Sequence, residues 1–128
     1  MNKTRPRPTG AELAILRVLW RRGPSTVRQV HEAIRSDRGT GYTTALKLLQ
    51  IMVAKGLARR DASGRSHVYA AACDQAATQR RLVGDLLDRV FDGSARQLVL
   101  QALEARRVPP EELREIRRLI DRMEGGRR

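Results

Sequence analysis

The sequence predicts a mainly α-helical protein carrying one small β-hairpin. Three observations predict it. Apolar residues recur at three-and-four spacing along most of the chain, two short extended runs flank Ser63-Gly64-Arg65, and glycine or proline punctuates the boundaries between these segments. The chain has 128 residues, 41% of them hydrophobic and 31% charged, so it is long enough for one domain or two small coupled ones. Aromatic residues make up only 3%, which leaves Leu, Ile, Val and Ala to fill the core.

The elements follow in order. Positions 1–8 alternate basic residues with proline, too polar and too broken to pack, and are expected to form a flexible arm. Thr9 and Glu12 have the spacing of a capping box, and Leu13, Leu16, Leu19 and Trp20 give the apolar face of a first helix that Gly23-Pro24 ends. A second helix restarts at Ser25 or Thr26, with Val27, Val30 and Ile34 on its apolar face, and stops at the Arg38-Gly39-Thr40-Gly41 turn. A third helix runs from about Tyr42 to Lys55. Its Ala45, Leu48, Leu49, Met52 and Val53 share one face, and Gly56 supplies the stop.

Leu57 to Ala62 and Ser66 to Ala70 then read as the two strands of a hairpin with a basic tip. From Asp74 onward the pattern is helical throughout. Leu82, Val83, Leu86, Leu87, Val90 and Phe91 form one stripe, and Ser94 caps a short helix with Leu98, Val99, Ala102 and Leu103. After Pro109-Pro110 a last helix spaces Leu113, Ile116, Ile120 and Met123 like a coiled-coil seam. Three such helices, with Phe91 as their one aromatic, are too small to bury their own stripes, so pairing with a second copy is expected. Leu82, Leu86, Val90, Phe91, Leu98, Val99, Leu113, Ile116, Ile120 and Met123 are its candidate interface.

Three helices followed by a hairpin is the order of a winged helix-turn-helix, here followed by a helical dimerisation region. The expected division is an arm over 1–8, a winged-helix domain over 9–72 and a three-helix dimerisation region over 73–128. Charge supports a nucleic-acid role for the first part. The net charge is +12, and residues 1–72 hold 14 Lys or Arg against 4 Asp or Glu, whereas residues 73–128 hold 12 against 10.

Opposite the apolar face of the third helix lie Thr43, Thr44, Lys47, Ile51 and Ala54. Thr43, Thr44 and Lys47 crowd the N-terminal half, where a recognition helix touches base edges; hydroxyls can donate or accept there, and Lys47 can reach a guanine edge. The amides near Gly41 and Tyr42 suit a phosphate oxygen, as does Arg65 at the hairpin tip, with Arg28, Arg59 and Arg60 as weaker phosphate candidates.

Other chemistry finds little footing. There is no Gly-rich phosphate loop, no His-x-x-x-His pair and no nucleophile with an evident base, so an enzyme is not expected, nor a cofactor or a metal site. His31, beside the apolar face of the second helix, reads as structural, His67 as a hairpin surface residue, Cys73 as a structural thiol and Trp20 as core packing. No apolar run approaches a membrane span and no signal core follows the basic N-terminus, so a cytoplasmic location without membrane insertion is expected. Two other functions stay open: a winged-helix regulator released by a small ligand, and a nonspecific basic protein bound to nucleic acid or an anionic surface.

The residues resemble the penicillinase-repressor and methicillin-resistance-repressor family, which also includes copper-responsive repressors. The likeness spans nearly the whole chain. It rests on Thr9 to Trp20 followed by Gly23-Pro24, on Gly41-Tyr42-Thr43-Thr44-Ala45-Leu46-Lys47-Leu48-Leu49, on Ala54-Lys55-Gly56-Leu57, and on Gly64-Arg65 leading to Val68-Tyr69. Leu86 to Ser94 and Pro110-Glu111-Glu112-Leu113 extend it. The resemblance implies a homodimer that blocks transcription by binding palindromic operators, promoter inverted repeats with TACA-like cores in double-stranded DNA, through Thr43, Thr44 and Lys47. It further implies release by a membrane-bound sensor metalloprotease that answers β-lactam or cell-wall stress. The chain departs from the family at four places: Gln101-Ala102 replaces the cleaved Asn-Phe pair, the copper-binding Cys-x-Cys tail is absent, Thr40 stands for a Trp before the recognition helix, and Ile51 for an Arg on it.

Overall fold

The computed structural model describes residues 7–126, so the arm expected over 1–8 lies outside the described residues except for its last two positions. The chain divides into two compact units, one reaching to Arg80 and the other starting at Arg81.

The first unit holds α1 (Gly10–Arg22), β1 (Ser25–Thr26), α2 (Val27–Arg38), α3 (Tyr42–Lys55), β2 (Ala58–Asp61), β3 (Val68–Ala71) and the start of α4 (Gln75–Val90). Both expected helix starts are capping boxes. The Thr9 side chain accepts from the Glu12 amide at 3.2 Å while the Thr9 amide donates to the Glu12 carboxylate at 2.9 Å. Thr26 and Gln29 repeat the exchange at the start of α2. The ends are glycines: Gly39 at φ 64° and Gly56 at φ 82° turn left-handed, where a Cβ would be strained.

The sheet differs from the expected hairpin. It has three strands in the order β1-β3-β2, because Ser25 and Thr26 pair antiparallel with Tyr69 and Val68 before α2 begins. The second helix starts at Val27 with Thr26 as its N-cap, as expected, and Ser25 and Thr26 serve in addition as a short strand. The hairpin register sets Arg59 opposite Ala70 and Arg60 opposite Tyr69. Neighbouring residues of a strand face opposite sides, so Arg60 shares the face of Tyr69 and Arg59 does not.

One aliphatic core unites α1, α2, α3 and the sheet. Ile15, Leu16, Val30, Leu49 and Met52 are fully buried, and Tyr69 closes the core from β3. Each such side chain contributes roughly 1.5–3 kcal/mol by leaving water. Two polar links fasten the helices. Lys55, on the last turn of α3, donates to the Glu12 carboxylate at 2.6 Å, tying the far end of α3 to the first turn of α1. The Trp20 indole N–H donates to the Cys73 carbonyl at 3.0 Å, so Trp20 anchors the exit of the sheet as well as packing on the core.

The second unit contains the rest of α4, α5 (Ala95–Ala105) and α6 (Pro110–Gly125). Asp92 at φ 52° and Gly93 at φ 79° turn the chain between α4 and α5, and the Ser94 hydroxyl caps α5 by accepting from Gln97. Neither α5 nor α6 buries a single residue within this chain, and α4 buries only Thr78, before the division. Val83, Leu86, Val90, Val99, Leu100, Leu113, Leu119, Ile120 and Met123 stand in solvent.

Candidate nucleic-acid interface

The site is built on α3. Its inner face is fixed by Ala45, Leu49 and Met52, all wholly buried, and a helix so seated must present its other face outward. Thr43, Thr44 and Lys47 are all exposed there, with Gln50, Ile51 and Ala54 continuing the face. The start of α3 is open as well. Gly41 is its N-cap in extended backbone and gives no side-chain hydrogen bond, whereas Thr9, Thr26 and Ser94 each cap their own helices. The first-turn amides of α3 thus lack side-chain acceptors, which suits an anion.

Beside this start lies a groove of about 470 Å³ lined by Thr26, Val27, Arg28, Tyr42, Leu46, Arg65, Ser66, His67 and Tyr69. The unforeseen strand β1 makes it. By pairing with β3 it brings the first turn of α2, with Arg28, alongside the hairpin that carries Arg65 and His67. Tyr42 lines the groove, its ring edge-on to that of His31 at 5.8 Å between centroids and 79° between planes. His31 therefore braces the first residue of α3, a more specific structural role than its sequence position suggested.

Electrostatically the groove is one-sided: among the described residues no Asp or Glu lines it. Among the described residues Arg28, Lys47, Arg60 and Arg65 form no ion pair. Arg60 is exposed on the hairpin face shared with Tyr69. Arg59 is placed elsewhere: it lines a separate concavity of about 390 Å³ with Trp20, Pro24 and Cys73. The structure thus gathers Gly41, Tyr42, Arg28 and Arg65 around one end of α3, while Arg59 turns away.

Sequence reasoning missed His67 and Ser66 as groove residues. A hairpin tip has no periodicity to place its side chains, so only the pairing of β1 could have revealed them. In the second unit Leu86, Val90, Val99, Leu113, Ile120 and Met123 are exposed, and Leu82, Phe91, Leu98 and Ile116 are half-buried. Leu100 and Leu119 add apolar surface outside the stripes expected of α5 and α6.

Among the described residues no group of His, Cys, Asp or Glu is arranged to hold a metal ion, and no helix is long and apolar enough to cross a membrane.

Comparison with known proteins agrees with this architecture. Residues 8–122 match the family described as penicillinase repressor. The transcriptional regulator BlaI of Mycobacterium tuberculosis (strain ATCC 25618 / H37Rv) is 34% identical over 116 residues, 90% of this chain and 83% of the relative. The penicillinase repressor of Bacillus licheniformis is 22% identical over 116 residues, 91% of each chain. Among solved structures, the solution structure of the DNA-binding domain of the repressor BlaI superposes with a TM-score of 0.50 at 22% identity, covering 56% of this chain and 87% of that one, a likeness of fold. These relatives are transcriptional regulators rather than enzymes, and with a match that runs through both units this chain belongs to the penicillinase repressor family.

Proposed function

We propose that the protein is a homodimeric, sequence-specific transcriptional repressor acting in the cytoplasm on promoter inverted repeats with TACA-like cores. The observation that carries the reading is the outward face of α3, where Thr43, Thr44 and Lys47 project beside an uncapped helix start and a groove holding two unpaired arginines. In this reading α3 enters the major groove. Thr43, Thr44 and Lys47 meet base edges, while the Gly41 and Tyr42 amides, Arg28, Arg60 and Arg65 hold phosphates. Arg59, on the other face of the hairpin, takes no part.

The second copy is inferred from the exposed apolar residues of α4, α5 and α6, which a lone chain would leave in water. A two-fold pair sets its recognition helices to meet half-sites about one helical turn apart, ~34–36 Å, or a multiple. Release would follow cleavage by a membrane-bound sensor metalloprotease. The bond between Gln101 and Ala102, both exposed in α5, is where the family resemblance places the cut. A protease acting there must accept a small Ala where the family presents Phe.

The test is binding of the purified protein to a labelled duplex bearing the inverted repeat, against a scrambled duplex, across a salt series. A preference of about 1000-fold at physiological salt, with two chains per duplex, is expected. Equal and steeply salt-dependent binding to both would mean that charge alone is responsible.

A further inference from the structure

The groove beside α3 contains one imidazole, that of His67, to which the reading above gives no task. We propose that His67 joins Arg28 and Arg65 in a clamp for a single DNA phosphate, and that its imidazole takes up a proton as the phosphate seats. This rests on α3 being the DNA-binding element.

Three elements face each other across the clamp. The first turn of α2 contributes Arg28, the first residue of α3 contributes Tyr42, and the hairpin contributes Arg65, Ser66 and His67. Every charged residue among them is a cation, so among the described residues the groove holds no counter-ion of its own and is complementary to an anion. On the neighbouring strand Arg60 lies on the Tyr69 face, adding a further positive charge. Asp61, set opposite Val68, is the acid beside His67 in the strand register. Its carboxylate already accepts the Ser63 hydroxyl at 2.7 Å and the Ser63 amide at 3.0 Å, and these bonds hold it below the ordinary carboxylate range. Its charge is therefore constant through neutral pH. His31 touches Tyr42 from α2 but does not line the groove.

An anion within hydrogen-bond reach of an imidazole favours the protonated ring. Binding and protonation are then linked, and the sign follows: if the complex holds more protons than the free protein, affinity rises as pH falls through the histidine range. One proton taken up per groove corresponds to a limiting gain of about 10-fold per pH unit for each groove engaged, or about 100-fold where both grooves of a dimer seat on the duplex. A phosphate contact carries no base information, so the gain applies to any duplex.

The experiment measures duplex affinity from pH 8.0 to 5.5 at fixed ionic strength, low enough for both the inverted repeat and a scrambled duplex to bind. It compares the wild type with His67→Gln and His31→Gln. His67 is exposed, and circular dichroism confirms that the variants are folded. The clamp predicts that His67→Gln loses most of the gain that the wild type shows on acidification, on both duplexes, whereas His31→Gln retains it. Parallel pH profiles for wild type and His67→Gln overturn the proposal. A slope difference that persists without any preference for the inverted repeat supports the clamp and overturns the sequence-specific reading instead.

Discussion

Lys47 and Arg65 are both exposed cations of the first unit, yet their positions ask different things of them. Lys47 is on the outward face of α3 next to two threonines, whereas Arg65 lines the groove at its start. A base contact discriminates and a phosphate contact does not. Lys47→Ala should therefore weaken binding to the inverted repeat by ~1–3 kcal/mol and a scrambled duplex far less. Arg65→Ala should weaken both alike and reduce the salt slope by about one. Fluorescence anisotropy on the two duplexes separates them, and equal losses for Lys47→Ala would remove it from the base-reading set.

Glu12 illustrates a charge kept for structure. Burial by itself would raise its pKa, but the Lys55 ammonium at 2.6 Å and the hydrogen bonds from Thr9 outweigh burial and hold it below the ordinary value of 4.5. A carboxylate whose folded pKa is depressed adds stability that is present above its unfolded value and is lost as pH falls through the folded one. Acid unfolding of the wild type should thus show a loss beginning near pH 4.5 and growing below it. Glu12→Gln keeps the shape but not the charge. It should lower stability at pH 7 by roughly 1–3 kcal/mol, since Lys55 is a quarter exposed and regains water, and flatten that part of the acid limb. Urea titrations at pH 7 and pH 3.5 check both statements, and an unchanged difference between the two pH values would contradict the assignment.

At the scale of the element, α3 is held by its ends as much as by its core face. Gly56 ends α3 at φ 82°, with its amide bonded to the Met52 and Val53 carbonyls. Nothing lies within 4 Å of a Cβ built there, so Gly56→Ala meets no clash and pays only for left-handed backbone. A loss of ~1–2 kcal/mol is expected, read from the denaturation midpoint with an unchanged slope, while Gly84→Ala, inside α4 and equally open, should stabilise by up to about 1 kcal/mol. These elements were legible in the sequence because their signals are local: Thr9 with Glu12, Ser94 at the head of its helix, and the left-handed glycines specify helix ends within a few residues. The strand β1 was not legible, because two residues cannot display alternation and Ser25 and Thr26 become a strand only through β3, far along the chain. That omission hid the groove. It also left Arg59 and Arg60 equivalent, since only the register with Ala70 and Tyr69 decides which side of the hairpin each one faces. The outward placement of Thr43, Thr44 and Lys47, by contrast, follows from the 3.6-residue period alone once Ala45, Leu49 and Met52 are assigned to the core.

At the scale of the whole molecule, the two units solve different problems. The first closes an aliphatic core within one chain, and the second leaves its apolar stripes open, with Val90 at 64% and Met123 at 63% exposure. Each such side chain buried against a second copy gains roughly 1.5–3 kcal/mol, so a handful suffices to offset the cost of association. The prediction follows from that asymmetry. Val90→Asp combined with Ile120→Glu should convert the protein to a monomer in sedimentation equilibrium at micromolar concentration, because two-fold symmetry doubles each introduced charge across the interface. The first unit does not depend on these positions, so the near-ultraviolet signal of Trp20, the single tryptophan, should be preserved. Affinity for a single half-site should also remain close to wild type. Affinity for the full inverted repeat should fall by at least 100-fold, since the second half-site is then bound independently rather than at the effective concentration of a tethered partner. Should the double variant stay dimeric with full operator affinity, the exposed stripes of α4 and α6 are not what joins two copies, and the interface must be sought in α5.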